Sequence, residues 1–172
     1  MNVKIVRIPF VAAVPLVCAI GIAAHANTTT VTNTNDGGPG SLRQALAEAN
    51  DGDTIDSDPS LNGQTITLTS AELAVNKSVM ISGPGPDLLT ISISGIQFTR
   101  IFHVMPGKSV TIDSLTIGDT SFGDCTGGIL NDGATLTISN CVVQQNCAGN
   151  GGGVDNDAGD GNRYADGSQQ QR

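Results

Sequence analysis

Gly107-Lys108-Ser109-Val110-Thr111-Ile112 and Gly133-Ala134-Thr135-Leu136-Thr137-Ile138 decide the fold. Laid over one another at an offset of 26 residues, they match glycine to glycine, Val110 to Leu136 and Ile112 to Ile138, and Leu115 then falls on Cys141. A second pair, Gly128-Ile129-Leu130-Asn131-Asp132 and Gly153-Val154-Asp155-Asn156-Asp157, realigns at an offset of 25. A steady period in the twenties, built of short strands and turns, makes each repeat one supersecondary unit stacked on the last. Leucine-rich repeats share the period, but their leucine consensus and fixed asparagine are missing. An antiparallel sandwich also uses short alternating strands. The repeat favours stacked coils, each adding about 4.8 Å along the axis.

Outward from that repeat the same texture continues. Gln64–Leu68, Ser78–Ser82, Leu89–Ile93, Val110–Ile112, Leu115–Ile117, Leu136–Ile138 and Cys141–Val143 mostly alternate apolar residues with Thr or Ser. Such alternation buries one face and leaves β-branched hydroxyls on the other. No helical stretch separates these strands, which excludes a doubly wound α/β fold. Thr28–Thr32 can extend as a first strand, before the turn cluster Asn35–Gly40. One helix is expected, from Ser41 to about Asn50. Ser41 and Gln44 form a capping box, Leu42, Ala45, Leu46 and Ala49 share a face, and Asn50-Asp51-Gly52 stops it. So short a helix needs an apolar surface to lie on, and the open mouth of the first coil supplies one. Ser41, Leu42, Arg43 and Leu46 are thus expected to form a structural cap, with Arg43 bonding backbone carbonyls or Asp53.

The first 26 residues read as an export signal: Lys4 and Arg7, an apolar run from Ile8 to Ala23, then the small-x-small Ala24-His25-Ala26. Val17 before Cys18 argues against a lipoprotein. Cleavage after Ala26 would leave 146 of the 172 residues and no membrane span. The remainder would carry six basic against sixteen acidic residues, a net charge of −10. Such a surface repels nucleic acid and anionic bilayers. With only Phe98, Phe102, Phe122 and Tyr164 as aromatics, the core must be layers of Ile, Leu and Val. Three cysteines remain, Cys125, Cys141 and Cys147, so one pair and one thiol are expected. Cys141 aligns with the inward Leu115, which leaves Cys125 and Cys147, in equivalent loops, as the disulfide; Cys141–Cys147 is the competing pair.

The order of motifs is also familiar. Gly40-Ser41-Leu42-Arg43-Gln44-Ala45-Leu46 and Ala49-Asn50-Asp51-Gly52-Asp53-Thr54-Ile55 resemble the opening of bacterial CSLREA-type β-helix proteins. Asp58-Pro59-Ser60-Leu61, Thr65–Leu68 and Ile81-Ser82-Gly83-Pro84-Gly85 follow in that family's order. Gly127-Gly128-Ile129-Leu130 and Val143-Gln144-Gln145-Asn146 are similar to repeats of polymorphic outer-membrane proteins. The resemblance covers residues 28 to 158 and implies a pectin-lyase-like fold on an exported protein. Ser57, Val143 and Gly40 depart from the pattern, standing where the family has an aromatic, a phenylalanine and a cysteine. The family's chains run through more coils, which reads this one as a truncated or frame-shifted member. Residues 159–172 lack strand periodicity and have the composition of a disordered tail.

The expected architecture is therefore all-β: a right-handed single-stranded parallel β-helix over residues 27–158, with a capping helix at 41–50. Enzymes on this fold that cut acidic polysaccharides need clustered carboxylates. Asp113, Asp119, Asp124 and Asp132 are the candidates, but turns favour Asp for local reasons too. His103 is the sole histidine after residue 26; in a strand between Phe102 and Val104 it reads as a packed or surface side chain. Gly151–Asp157 faintly resembles a calcium-binding Gly/Asp repeat without its second period, and reads as tight turns. Lys77, Arg100 and Lys108 are scattered and make no phosphate site. No catalytic, cofactor or metal residue is assigned. The expectation is a noncatalytic secreted or cell-surface module, adhesin-like or structural, meeting surface glycans or a cell-surface protein. A polysaccharide lyase or glycoside hydrolase is the alternative, resting on fold analogy.

Overall fold

The computed structural model describes residues 26–95, 100–118, 127–146, 152–157 and 163–165. Their backbone winds into a parallel β-solenoid of four coils. Each coil contributes one strand to each of three sheets, and Thr28–Val31 adds a further strand to the first sheet ahead of the first coil. The first sheet holds β1 (Thr28–Val31), β2 (Thr54–Ser57), β5 (Met80–Ser82), β8 (Ser109–Asp113) and β11 (Thr135–Ser139) in that order. The second stacks β3 (Gln64–Leu68), β6 (Leu89–Ile93), β9 (Thr116–Gly118) and β12 (Val142–Gln144). The third stacks β4 (Leu73–Val75), β7 (Arg100–Val104), β10 (Gly127–Asp132) and β13 (Val154–Asp157). Arg163–Ala165, within the stretch expected to lack structure, form β14, antiparallel to β13.

Register follows the repeat. Val110 pairs with Leu136 and Ile112 with Ile138. Extending both ways, Ile55, Ile81, Ile112 and Ile138 make one continuous row of the first sheet. Ile66, Ile91, Ile117 and Val143 make the matching row of the second. Leu73, Phe102, Ile129 and Val154 do so in the third. These rows meet in a core of Ile, Leu and Val, with Phe102 fully buried among them. In the last coil Leu136, Ile138, Cys141, Val143 and Val154 are only partly buried.

The period is less even than the repeat implies. Met80 pairs with Thr111, an offset of 31, because the second coil carries extra residues in its turns. In the last two coils the chain bends from the first sheet to the second within two residues. Ser114 and Asn140 adopt φ of 58° and 48° there, left-handed conformations that an asparagine tolerates well. Gly118 (φ 151°) serves a different need: a Cβ would collide with the Gln144 carbonyl of the next coil.

The helix α1 (Leu42–Glu48) packs against β1, β2 and β4, at the end of the stack where those strands lie. Ser41 is its N-cap, its hydroxyl accepting from the Gln44 amide and donating to the Gly38 carbonyl. Leu42, Ala45 and Leu46 are buried. No helix among the described residues is long and apolar enough to cross a membrane.

Candidate functional site

Polar side chains on successive coils stand one above another, so the groups that could do chemistry are brought together by stacking. The most concentrated set lies on the third sheet. His103, on β7, stands between Glu72, just before β4, and Asp132, at the end of β10. His103 Nδ1 donates to Glu72 Oε1 at 2.8 Å. Its Nε2 faces Asp132 Oδ2 at 3.7 Å, beyond hydrogen-bond range. That nitrogen is closed off from solvent and has no hydrogen-bond partner. The imidazole is thus a bridge between coils, with its second nitrogen turned to a carboxylate rather than to open space.

A groove of about 380 Å³ lies beside it, between α1 and β4. Leu46, Leu73 and Ala74 supply apolar surface, and Arg43, Glu72 and Lys77 supply charge. The charges are largely spoken for. Arg43 Nη2 and Nε reach Asp36 Oδ1 at 2.6 and 3.2 Å. The same guanidinium donates to the carbonyls of Asp36, Ala71 and Glu72. Arg43 therefore bonds carbonyls as expected, but its carboxylate is Asp36 and not Asp53. Asp53 instead accepts the amides of Asn27 and Asn50, closing the turn after the helix. Burial works against the charged form of Asp36. Hydrogen bonds from Ser70, Arg43 and the Thr69 amide overcome it and hold the carboxyl far below the usual carboxylate range.

The sequence candidates separate in space. Asp113 ends a strand of the first sheet and Asp132 one of the third, so they form no facing acid/base pair. Asp113 accepts from Ser139, from Ser114 at 2.7 Å and from Asn140 at 3.2 Å. The hydroxyls of Ser139 and Ser114 are the main reason its carboxyl is held below the ordinary range. Asp119, Asp124, Cys125, Cys147 and Gly151 lie outside the described residues, and so does most of the signal segment. Cys141 is a free, half-buried thiol, and burial raises its pKa. No group of three His, Cys, Asp or Glu among the described residues is arranged to hold a metal ion.

Val154–Asp157, expected in turns, is instead the strand β13. Its Asp155 is fully buried and meets Arg100 Nη2 at 3.1 Å, two coils away. Arg100 crosses Gly127 to get there; a Cβ at that glycine would strike its side chain. Asn131 Nδ2 likewise donates to Asn156 Oδ1 on the next coil at 2.6 Å. Glu72, Asp36 and the Arg100–Asp155 pair escaped the sequence reading. The one available signal was Gly127-Gly128, which marks a place where something must pass close to the backbone.

The class this geometry defines is a parallel β-solenoid whose polar side chains tie coil to coil. Compared with known proteins, the chain matches no family model, no curated protein and no solved structure.

Proposed function

We propose that the chain is a noncatalytic β-solenoid module of an exported protein, presented in secretion or at the cell surface for adhesion or as a structural stalk. One observation carries the reading. Among the described residues, three carboxylates are taken up by neighbouring side chains: Asp113 by Ser114, Ser139 and Asn140, Glu72 by His103, and Asp155 by Arg100. The imidazole Nε2 of His103 is closed to solvent. A general base must come within about 2.6–3.2 Å of the proton it takes. Export rests on Lys4, Arg7 and the apolar run to Ala23, and the resemblance to exported β-helix proteins agrees with it.

The partners that suit such a module are surface glycans or a cell-surface protein, since its acidity works against nucleic acid and anionic bilayers. The purified chain, incubated with polygalacturonate and with alginate, with and without calcium, should release no unsaturated or reducing ends. It should bind immobilised glycans or whole cells. Turnover of either polymer would overturn the noncatalytic reading in favour of a lyase or hydrolase.

A further inference from the structure

Given the module reading above, on which this rests, we infer that the corner bearing Lys77 and Lys108 binds an acidic sugar, a glycan residue carrying one carboxylate. Scattered in sequence, the two lysines meet once the coils are stacked. Lys77 lies between β4 and β5, and Lys108 just before β8. The offset of 31 that pairs Met80 with Thr111 also sets Lys108 over Lys77. Beside them the Ser109 amide donates to Ser78 Oγ at 3.1 Å. One carboxylate answers both lysines. Asp51 Oδ2 lies 3.5 Å from Lys108 Nζ, and its Oδ1 accepts the Ser78 amide at 2.6 Å. That amide, with Lys108 and Lys77 adding their charge, holds the Asp51 carboxyl below its ordinary range. Two ammonium groups against one carboxylate leave a single positive charge over, which matches a carboxylate better than a dianionic phosphate.

The other lysines and arginines whose side chains are described are occupied: Arg43 is bound to Asp36, and Arg100 to the buried Asp155. The surplus charge at Lys77 also borders open space. Lys77 lines the groove of about 380 Å³ between α1 and β4, where Leu46, Leu73 and Ala74 offer apolar surface and Asn76 an amide. That volume is at the small end of ligand sites, which run from about 300 to 1,000 Å³. A pyranose ring suits it. The C–H face packs on aliphatic carbon, the hydroxyls reach the amide, and the carboxylate meets Lys77. Glu72, the carboxylate on the groove wall, is turned to His103 Nδ1 at 2.8 Å. Past the lysines in both coils, Ser78, Met80, Ser109 and Thr111 line a second groove of about 280 Å³, which takes the next sugar of the glycan. The negative charge of the whole molecule does not cancel this local attraction. At physiological ionic strength charges are screened beyond about 8 Å, so the contact with Lys77 outweighs distant carboxylates.

The test is NMR titration of the full chain with methyl glucuronide and with methyl glucoside, rings that differ only in the carboxylate, at about 0.15 M salt. The glucuronide should bind about three- to tenfold more tightly than the glucoside, which is what one solvent-accessible, charge-assisted bond contributes. Lys77→Met should abolish that preference, and Lys77→Arg should keep it. Asp51→Asn still accepts the Ser78 amide but no longer competes for the ammonium groups, so it should bind the glucuronide about two- to fivefold more tightly than the parent. A purely structural role for the three residues predicts no such gain. Absence of glucuronide binding, equal affinity for the two sugars, a preference that survives Lys77→Met, or an Asp51→Asn complex no tighter than the parent's overturns the site. If Lys77→Met does not fold, the Asp51→Asn arm decides alone. A chain that fails these arms yet still holds immobilised glycans or whole cells loses this site and keeps the module reading.

Discussion

Replacing Asp36 with asparagine keeps the shape of the side chain and removes its charge. In the parent, Asp36 accepts from Arg43 Nε and Nη2 through Oδ1, and from the Thr69 amide and hydroxyl through Oδ2 at 3.1 and 3.2 Å. An amide retains one acceptor oxygen and turns the other position into a donor, which then faces either a guanidinium or an N–H. Breaking a fully buried ion pair costs about 3–5 kcal/mol. The Asp36 side chain is 17% exposed and that of Arg43 27%, and Arg43 keeps its carbonyl partners. Both facts reduce the loss, so Asp36→Asn should destabilise by about 2–3 kcal/mol. Urea unfolding at pH 7 measures it, and a cycle with Arg43→Met should give a coupling of about 1–2 kcal/mol. Acidification supplies a second arm. A carboxyl held below its ordinary value of 3.8 stabilises fully above that value. The contribution is lost as pH falls below it toward the folded-state value. The parent should lose stability there more steeply than Asp36→Asn. A variant within about 0.5 kcal/mol of the parent, or an unchanged acid limb, refutes the idea that this carboxylate anchors α1 to the first coil.

Other substitutions probe other levels of the structure. Leu46→Asp places a charge under α1 and should cost about 2–4 kcal/mol; a melting temperature equal to the parent's rules out a packing role for that face. Gly118→Ala sets a methyl group against the Gln144 carbonyl at a positive φ. It should cost at least about 2 kcal/mol, and a neutral effect in urea unfolding would mean that β9 and β12 lie further apart. Peptide mapping without reductant should recover Cys125 joined to Cys147 and Cys141 as a thiol; any fragment joined through Cys141 refutes that pairing.

The stacked rows were legible because they depend on local pattern alone. Alternation fixes which side of a strand is buried, and a repeat of 26 carries that choice from one coil to the next, as with Ile112 and Ile138. The polar ties were not legible, for a related reason. Arg43 meets carbonyls 28 and 29 residues away, and Asp36 meets Thr69 across 33, because one circuit of the solenoid returns the chain to its own side. Those partners sit in turns, where strand periodicity gives no register. Arg43 therefore meets the expected carbonyls, while its carboxylate is Asp36 rather than Asp53.

Arg100 and Asp155 take this one step further. They are 55 residues apart, on coils that are not adjacent, and the strand between them contributes only Gly127 where the guanidinium passes. An acid read on its own in Gly-rich sequence looks like a turn residue, since Asp favours turns. Yet Asp155 is fully buried, and an unpaired carboxylate there would be costly. Arginine suits the span: a long side chain delivers a rigid set of donors to a site its own coil does not touch. Gly127 follows from the same requirement, because any larger residue would block the path. Gly127, Arg100 and Asp155 are thus a single device distributed over three coils, visible only once the coils are stacked.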